Sequence, residues 1–173
     1  DFLVNRQAEQ EIAHVQAERA IRAFGICEPL HAANYVHMNR ATIRPAVEAL
    51  MAEGILVPLE VASANGATRG MAIHRANLPA LEAALDGALT ARRTTFLSPF
   101  DSLFWPLNRD QQLWGFEQTL EAYLPAPRRR WGYFCLPILH EDRLVGRFDP
   151  KLDRKTRTLT LRALYLEPGI TPD

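Results

Sequence analysis

The stretch Arg128-Arg129-Arg130-Trp131-Gly132-Tyr133-Phe134-Cys135-Leu136-Pro137-Ile138-Leu139-His140-Glu141-Asp142-Arg143-Leu144-Val145-Gly146-Arg147-Phe148-Asp149 reads as a basic lead-in followed by strand, turn and strand. Tyr133 to Leu139 and Leu144 to Asp149 are the strand candidates, joined by the charged turn His140 to Arg143. A further strand, Thr158 to Glu167, follows the turn Pro150 to Thr156. Upstream, Phe116, Leu120, Ala122 and Leu124 alternate with the more polar Glu117, Thr119, Glu121 and Tyr123. That period of two predicts a strand from Phe116 to Leu124. Four consecutive strands imply a small antiparallel β-meander or partial barrel, with Arg143, Lys151, Arg154 and Lys155 at its rims.

Charge follows the same stretch. Residues 128 to 162 hold ten basic side chains against four acidic ones, so the segment is +6 in a chain of net charge +0 and the remainder is −6. Clustered guanidinium groups interleaved with Trp131, Tyr133 and Phe134 suit a surface that holds phosphates and stacks on bases. The candidate DNA contacts here are Arg128, Arg129, Arg130, Trp131, Arg143, Arg147, Lys151 and Arg154. A solvated β-surface whose charges pair internally is the competing reading.

Working outward towards the start, residues 8 to 24 place Ile12, Val15, Ala20, Ile21 and Phe24 at helical spacing, and Gly25 supplies a stop. Leu30 to Val36 forms a short second helix. Asn39 caps a third, Arg40 to Glu53, with Ile43, Val47, Leu50 and Met51 on its apolar side and Pro45 in its first turns. Ile55 to Val61 and Met71 to His74 then read as two strands about Asn65-Gly66. Three helices and a hairpin make residues 1 to 75 a winged helix-turn-helix module. If its third helix enters a major groove, Arg40, Thr42 and Arg44 face the DNA, with Arg69 on the wing. The module holds more acid than base, and a role in packing alone is the alternative. Residues 76 to 112 form a helical linker (Ala- and Leu-rich over 77 to 95) and a signature segment, and 113 to 173 the β module. The fold class is α+β. Trp105, Trp114 and Phe116 are expected to pack the linker segment against the sheet.

At 173 residues and 47% hydrophobic the chain suffices for one good core or two small ones. Cys27 and Cys135 match neither a disulfide framework nor a metal-ligand spacing, and the five histidines form no metal pattern. No Gly-rich phosphate loop occurs, and no cofactor is implied. No apolar run approaches a membrane span of about 18 to 20 residues, and no signal peptide is apparent. A cytoplasmic protein is expected. The start at Asp1 and the end at Pro172-Asp173 suggest a fragment of a longer polypeptide.

Leu97-Ser98-Pro99-Phe100-Asp101, Trp105, Leu113-Trp114-Gly115-Phe116-Glu117, Glu121-Ala122-Tyr123-Leu124-Pro125, Arg129-Arg130-Trp131-Gly132-Tyr133 and Leu144 to Lys151 occur in order. In that order they resemble the C-terminal part of the bacterial winged-helix DNA glycosylases of the AlkZ or YcaQ type. The resemblance is strongest over residues 97 to 168 and looser over 11 to 75. It implies the DNA-binding part of a repair glycosylase that excises alkylated or crosslinked bases, with damaged double-stranded DNA as partner. It also implies a catalytic Gln-x-Gln or Gln-x-Asp element in the N-terminal portion of the full protein. No such triplet occurs in these 173 residues, so the chain alone is expected to be inactive. Among its carboxylates Asp101 is positioned to cap a helix beginning near Ser102. Glu121 is the candidate for electrostatic support of a cationic sugar, although an ion pair with Arg130 or Arg147 is the favoured role. A non-enzymatic winged-helix DNA-binding or regulatory protein is the alternative, which the ordered segment from Leu97 to Lys151 disfavours.

Overall fold

A computed structural model describes residues 2–106 and 108–171, with side chains from residue 7 onward. The chain divides into two compact units, residues 1–89 with 105–115, and residues 90–104 with 116–173. The mixture of helices with antiparallel sheets is the α+β arrangement expected. Among the described residues no helix is long and apolar enough to cross a membrane.

The first unit contains helix α1 (Phe2–Phe24), strand β1 (Ile26–Cys27), α2 (His31–Tyr35), α3 (Arg40–Ala52), and the hairpin β2 (Leu56–Ala62) and β3 (Thr68–His74). A short helix α4 (Leu78–Leu85) and α5 (Arg109–Trp114) complete it. The three strands pair antiparallel in the order β1-β3-β2. The buried line of α1 is the expected one at Ala20, Ile21 and Phe24 but not before them: Ile12 and Val15 are exposed, and Ala13 and Ala17 are buried in their place. Small side chains one turn apart let α1 lie close to α3, whose Ile43, Ala46, Val47 and Leu50 fill the other side of the core. Ile12 and Val15 marked the wrong face of the first half of the helix because alanine carries little weight in a hydrophobic pattern.

Asn39 does cap α3. Its backbone is extended, and its side-chain oxygen accepts the Ala41 N–H at 3.1 Å. Asn39→Ala is expected to cost about 1 kcal/mol, read as a lower urea midpoint with an unchanged slope. Pro45 lies in the second turn of α3, as its reading places it. It is inside α3, past the four donors that any helix leaves free, so the ring removes one internal hydrogen bond. The linker helix is shorter than the 77 to 95 stretch suggests. It ends at Leu85, and Gly87 takes a left-handed φ of 72° that allows the chain to leave the helix axis.

The second unit is a four-stranded antiparallel sheet: β4 (Thr94–Phe96), β5 (Leu136–His140), β6 (Arg143–Asp153) and β7 (Thr158–Leu166), in that order. Three of the expected strands are there, with β6 running four residues further than its apolar run. The fourth is not Phe116 to Leu124. That segment is irregular apart from one 3-10 turn at Glu121–Tyr123, and β4 takes the edge beside β5, Thr94 opposite His140 and Phe96 opposite Ile138. The alternation fails because two residues of opposite character, Phe116 and Glu121, are both buried. One face of the sheet is apolar, with Phe96, Leu136, Ile138, Phe148, Leu161 and Leu164 lining a hollow. The opposite face carries Arg147 and Asp149 to the irregular segment. Asp101 caps as expected, accepting the Leu103 N–H at 2.9 Å at the start of a 3-10 turn, Ser102–Phe104.

Candidate nucleic-acid interface

Pro125 and Pro127 deny the segment before the basic run the donors that a strand ladder needs. It folds instead as two single 3-10 turns, Glu121–Tyr123 and Ala126–Arg128. What fixes their path is the carboxylate of Glu121, only 6% exposed. Its Oε1 accepts the Arg130 N–H at 2.9 Å, and its Oε2 accepts the N–H groups of Trp131 at 2.7 Å and Gly132 at 3.1 Å. Three consecutive amides turn towards one anion because Gly132 sits at a φ of 151°, and a Cβ there would lie 2.7 Å from Asp149 Oδ2. Burial by itself would raise the carboxyl's pKa. The three backbone hydrogen bonds and the charge of Arg147 outweigh it and hold the pKa below the ordinary value.

Two arginines build the rest. Arg129 Nε donates to the carbonyls of Leu124 at 2.9 Å and Glu121 at 3.2 Å, and its guanidinium lies 4.9 Å from the centre of the Tyr133 ring. Arg147 is 2% exposed. It donates to the Glu117 carbonyl at 2.6 Å and to Glu167 Oε1 at 3.0 Å, with its guanidinium carbon 4.1 Å from the Phe116 ring centre and 4.3 Å from that of Trp131. Trp131 also receives the Arg130 guanidinium at 4.2 Å and meets the edge of Tyr165 at 5.0 Å. The outer cation of this stack is open to water: the Arg130 side chain is 67% exposed and 3.8 Å from Glu117, itself 57% exposed, a contact worth little.

The structure sorts the expected DNA contacts into groups. Arg128 and Arg130 are exposed, and Arg129, Arg130, Trp131 and Tyr133 line a hollow with Arg162, which sequence reasoning counted as charge but did not single out. Arg162 reaches Asp149 at 3.9 Å and stays 45% exposed. Arg143, Lys151 and Arg154 are exposed as well, but Arg143 opens β6 and Arg154 follows its far end, about 36 Å away along the strand at roughly 3.3 Å per residue. They do not share one patch. Arg147 faces inward and has no open side for a phosphate, and Arg129 is half-buried with its Nε committed to two backbone carbonyls. In the first unit, Arg40 and Arg44 are exposed on α3, whereas Arg69 pairs with Glu28 at 3.4 Å.

Glu121 is neither on the polar face of a strand nor held by an arginine side chain; backbone amides hold it. The aromatic residues separate too. Trp114 receives Arg109 at 5.6 Å and Trp105 meets His37 at 5.9 Å, both within the first unit, while Phe116 alone packs in the sheet unit. Sequence reasoning also passed over Arg109, which is buried and donates to the Phe24 and Ile26 carbonyls at 2.8 and 3.1 Å. Nothing in local spacing marks Arg109 or Arg147 as internal, since each hydrogen-bonds to chain 20 or more positions away.

The second unit holds twelve Lys and Arg against nine Asp and Glu, a net +3, and the first holds eight against eleven, a net −3. Positive charge therefore gathers in the unit that carries the arginine loop. Residues 3–171 match the family model described as DNA glycosylase AlkZ-like, and the chain belongs to that family. No solved structure matches the chain. Membership makes DNA the substrate class and base excision the chemistry.

Proposed function

We propose that these residues are the DNA-binding part of a repair glycosylase acting on alkylated or crosslinked bases in double-stranded DNA. The catalytic group is supplied by a Gln-x-Gln or Gln-x-Asp element that none of these residues provides. The observation that carries the reading is the loop from Arg128 to Tyr133, where an exposed guanidinium rests on Trp131 above a rigid internal stack. Arg128 stands beside it, and no acid interrupts residues 122 to 133. Fixed cations beside aromatic faces suit a backbone distorted around a damaged nucleotide. We read residues 1–75 as a winged helix, on its three helices and following hairpin, with Arg40 and Arg44 as a second, weaker contact.

Salt dependence tests this. Each lost phosphate contact lowers the slope of log affinity against log salt by roughly 0.9 on duplex DNA. Replacing Arg128 and Arg130 together by alanine should therefore flatten the slope by up to about 1.8 and weaken binding to any sequence alike. Arg129 is left intact because its removal would undo the loop itself. The expected outcome in fluorescence anisotropy with a labelled duplex is a smaller change for the Arg40→Ala, Arg44→Ala double variant. A larger change there would make α3 the principal contact and this loop a bystander.

A further inference from the structure

Tyr123 has 85% of its surface exposed, more than any other large apolar or aromatic side chain described. Several other exposed rings of the sheet unit have companions. Phe96 meets Phe148, Phe100 meets Phe134, and Tyr133 carries the Arg129 guanidinium. Among the described residues the Tyr123 ring meets neither a ring nor a guanidinium.

Its backbone, by contrast, is tied on both sides. Arg129 Nε binds the carbonyls of Glu121 and Leu124, which bracket Tyr123, and the Leu124 N–H closes the 3-10 turn onto the Glu121 carbonyl at 2.9 Å. The Glu121 carboxylate ties the same turn to residues 130 to 132. A ring with two side-chain torsions on an immobilised turn loses little freedom on binding. Arg128 and Arg130 stand a few residues away on the loop that this turn holds.

We infer that Tyr123 is a stacking residue, inserted against a nucleobase where the duplex is already opened by damage or an unpaired position. Apolar and aromatic side chains that enter a base step lose least where stacking is already weakened. Such a contact discriminates between distorted and intact DNA, whereas the arginines do not. The inference rests on the reading that this unit binds DNA.

The test compares two labelled duplexes of one sequence, one intact and one with a single unpaired nucleotide beside 2-aminopurine, at fixed salt. Tyr123→Ala should bind the distorted duplex about tenfold more weakly and lose the rise in 2-aminopurine fluorescence, with little change on the intact duplex. Tyr123→Trp should keep both properties. The salt slope should be the same for all three proteins, because no cation is removed. With the ring in solvent, truncation leaves folding intact, and matching melting curves confirm it. Equal losses on the two duplexes, or none, overturn the assignment while a salt-dependent wild type leaves the DNA-binding reading standing. A wild type that binds neither duplex overturns both.

Discussion

Arg147→Ala should destabilise the sheet unit by about 3 to 5 kcal/mol, the largest loss of any single change considered. The side chain is 2% exposed and donates to Glu117 and Glu167 while filling the space between Phe116 and Trp131. Its removal leaves a carboxylate and a carbonyl without their donor and opens a void between two rings. Arg147→Lys keeps the charge but loses the planar fork and the stacking, so it should recover less than half of the loss. Arg147→Met fills the volume without charge and separates packing from electrostatics. Urea unfolding followed by tryptophan fluorescence reads all three. If the alanine variant unfolds at the wild-type midpoint but binds DNA more weakly, the guanidinium belongs to the ligand and not to the fold.

That distinction explains how much of this protein was legible in its sequence. Helix α3, its Asn39 cap and the cores of three strands followed from local patterns, because what defines them lies within a few residues. Strand β4 did not, since Thr94, Thr95 and Phe96 are too few to show a period and pair with residues more than 40 positions away. The false strand at Phe116 to Leu124 has the same origin. Its alternation is real, yet Phe116 is buried by Arg147 and Glu121 by residues 130 to 132, and neither partner is local. Counting charge located the basic half correctly but treated ten cations as equivalent. Burial divides them: Arg147 and Arg129 organise the loop, and Arg128, Arg130 and Arg162 are left exposed to solvent. The Arg-rich surface and the internally paired one, set against each other from composition, are two layers of one site.

Glu121 joins those layers and gives the site a dependence on pH. Its folded pKa is depressed, so the stability it contributes is fully present above the unfolded value of about 4.3 and is lost as pH falls through the folded one. Glu121→Gln keeps the shape but directs an NH₂ group at one or more of the amides of Arg130, Trp131 and Gly132. Hydrogen bonds to a charged group contribute about 1.5 to 3 kcal/mol, so the glutamine variant should be less stable by roughly 2 to 3 kcal/mol at pH 7. The gap should begin to narrow as pH falls below the unfolded value of about 4.3 and close only as pH passes the depressed folded pKa, where wild-type Glu121 is itself protonated. Urea midpoints at pH 7 and pH 3 measure this. DNA binding supplies the second readout: with the carboxylate gone, Arg130 and Trp131 lose their anchor, and the salt slope at pH 7 should fall towards that of the Arg128→Ala, Arg130→Ala variant. A glutamine protein that matches wild type in stability at pH 7 would show that the three amides do not depend on the charge. One that is destabilised yet keeps its full salt slope would show that the cations are placed by something other than the nest they share with Glu121.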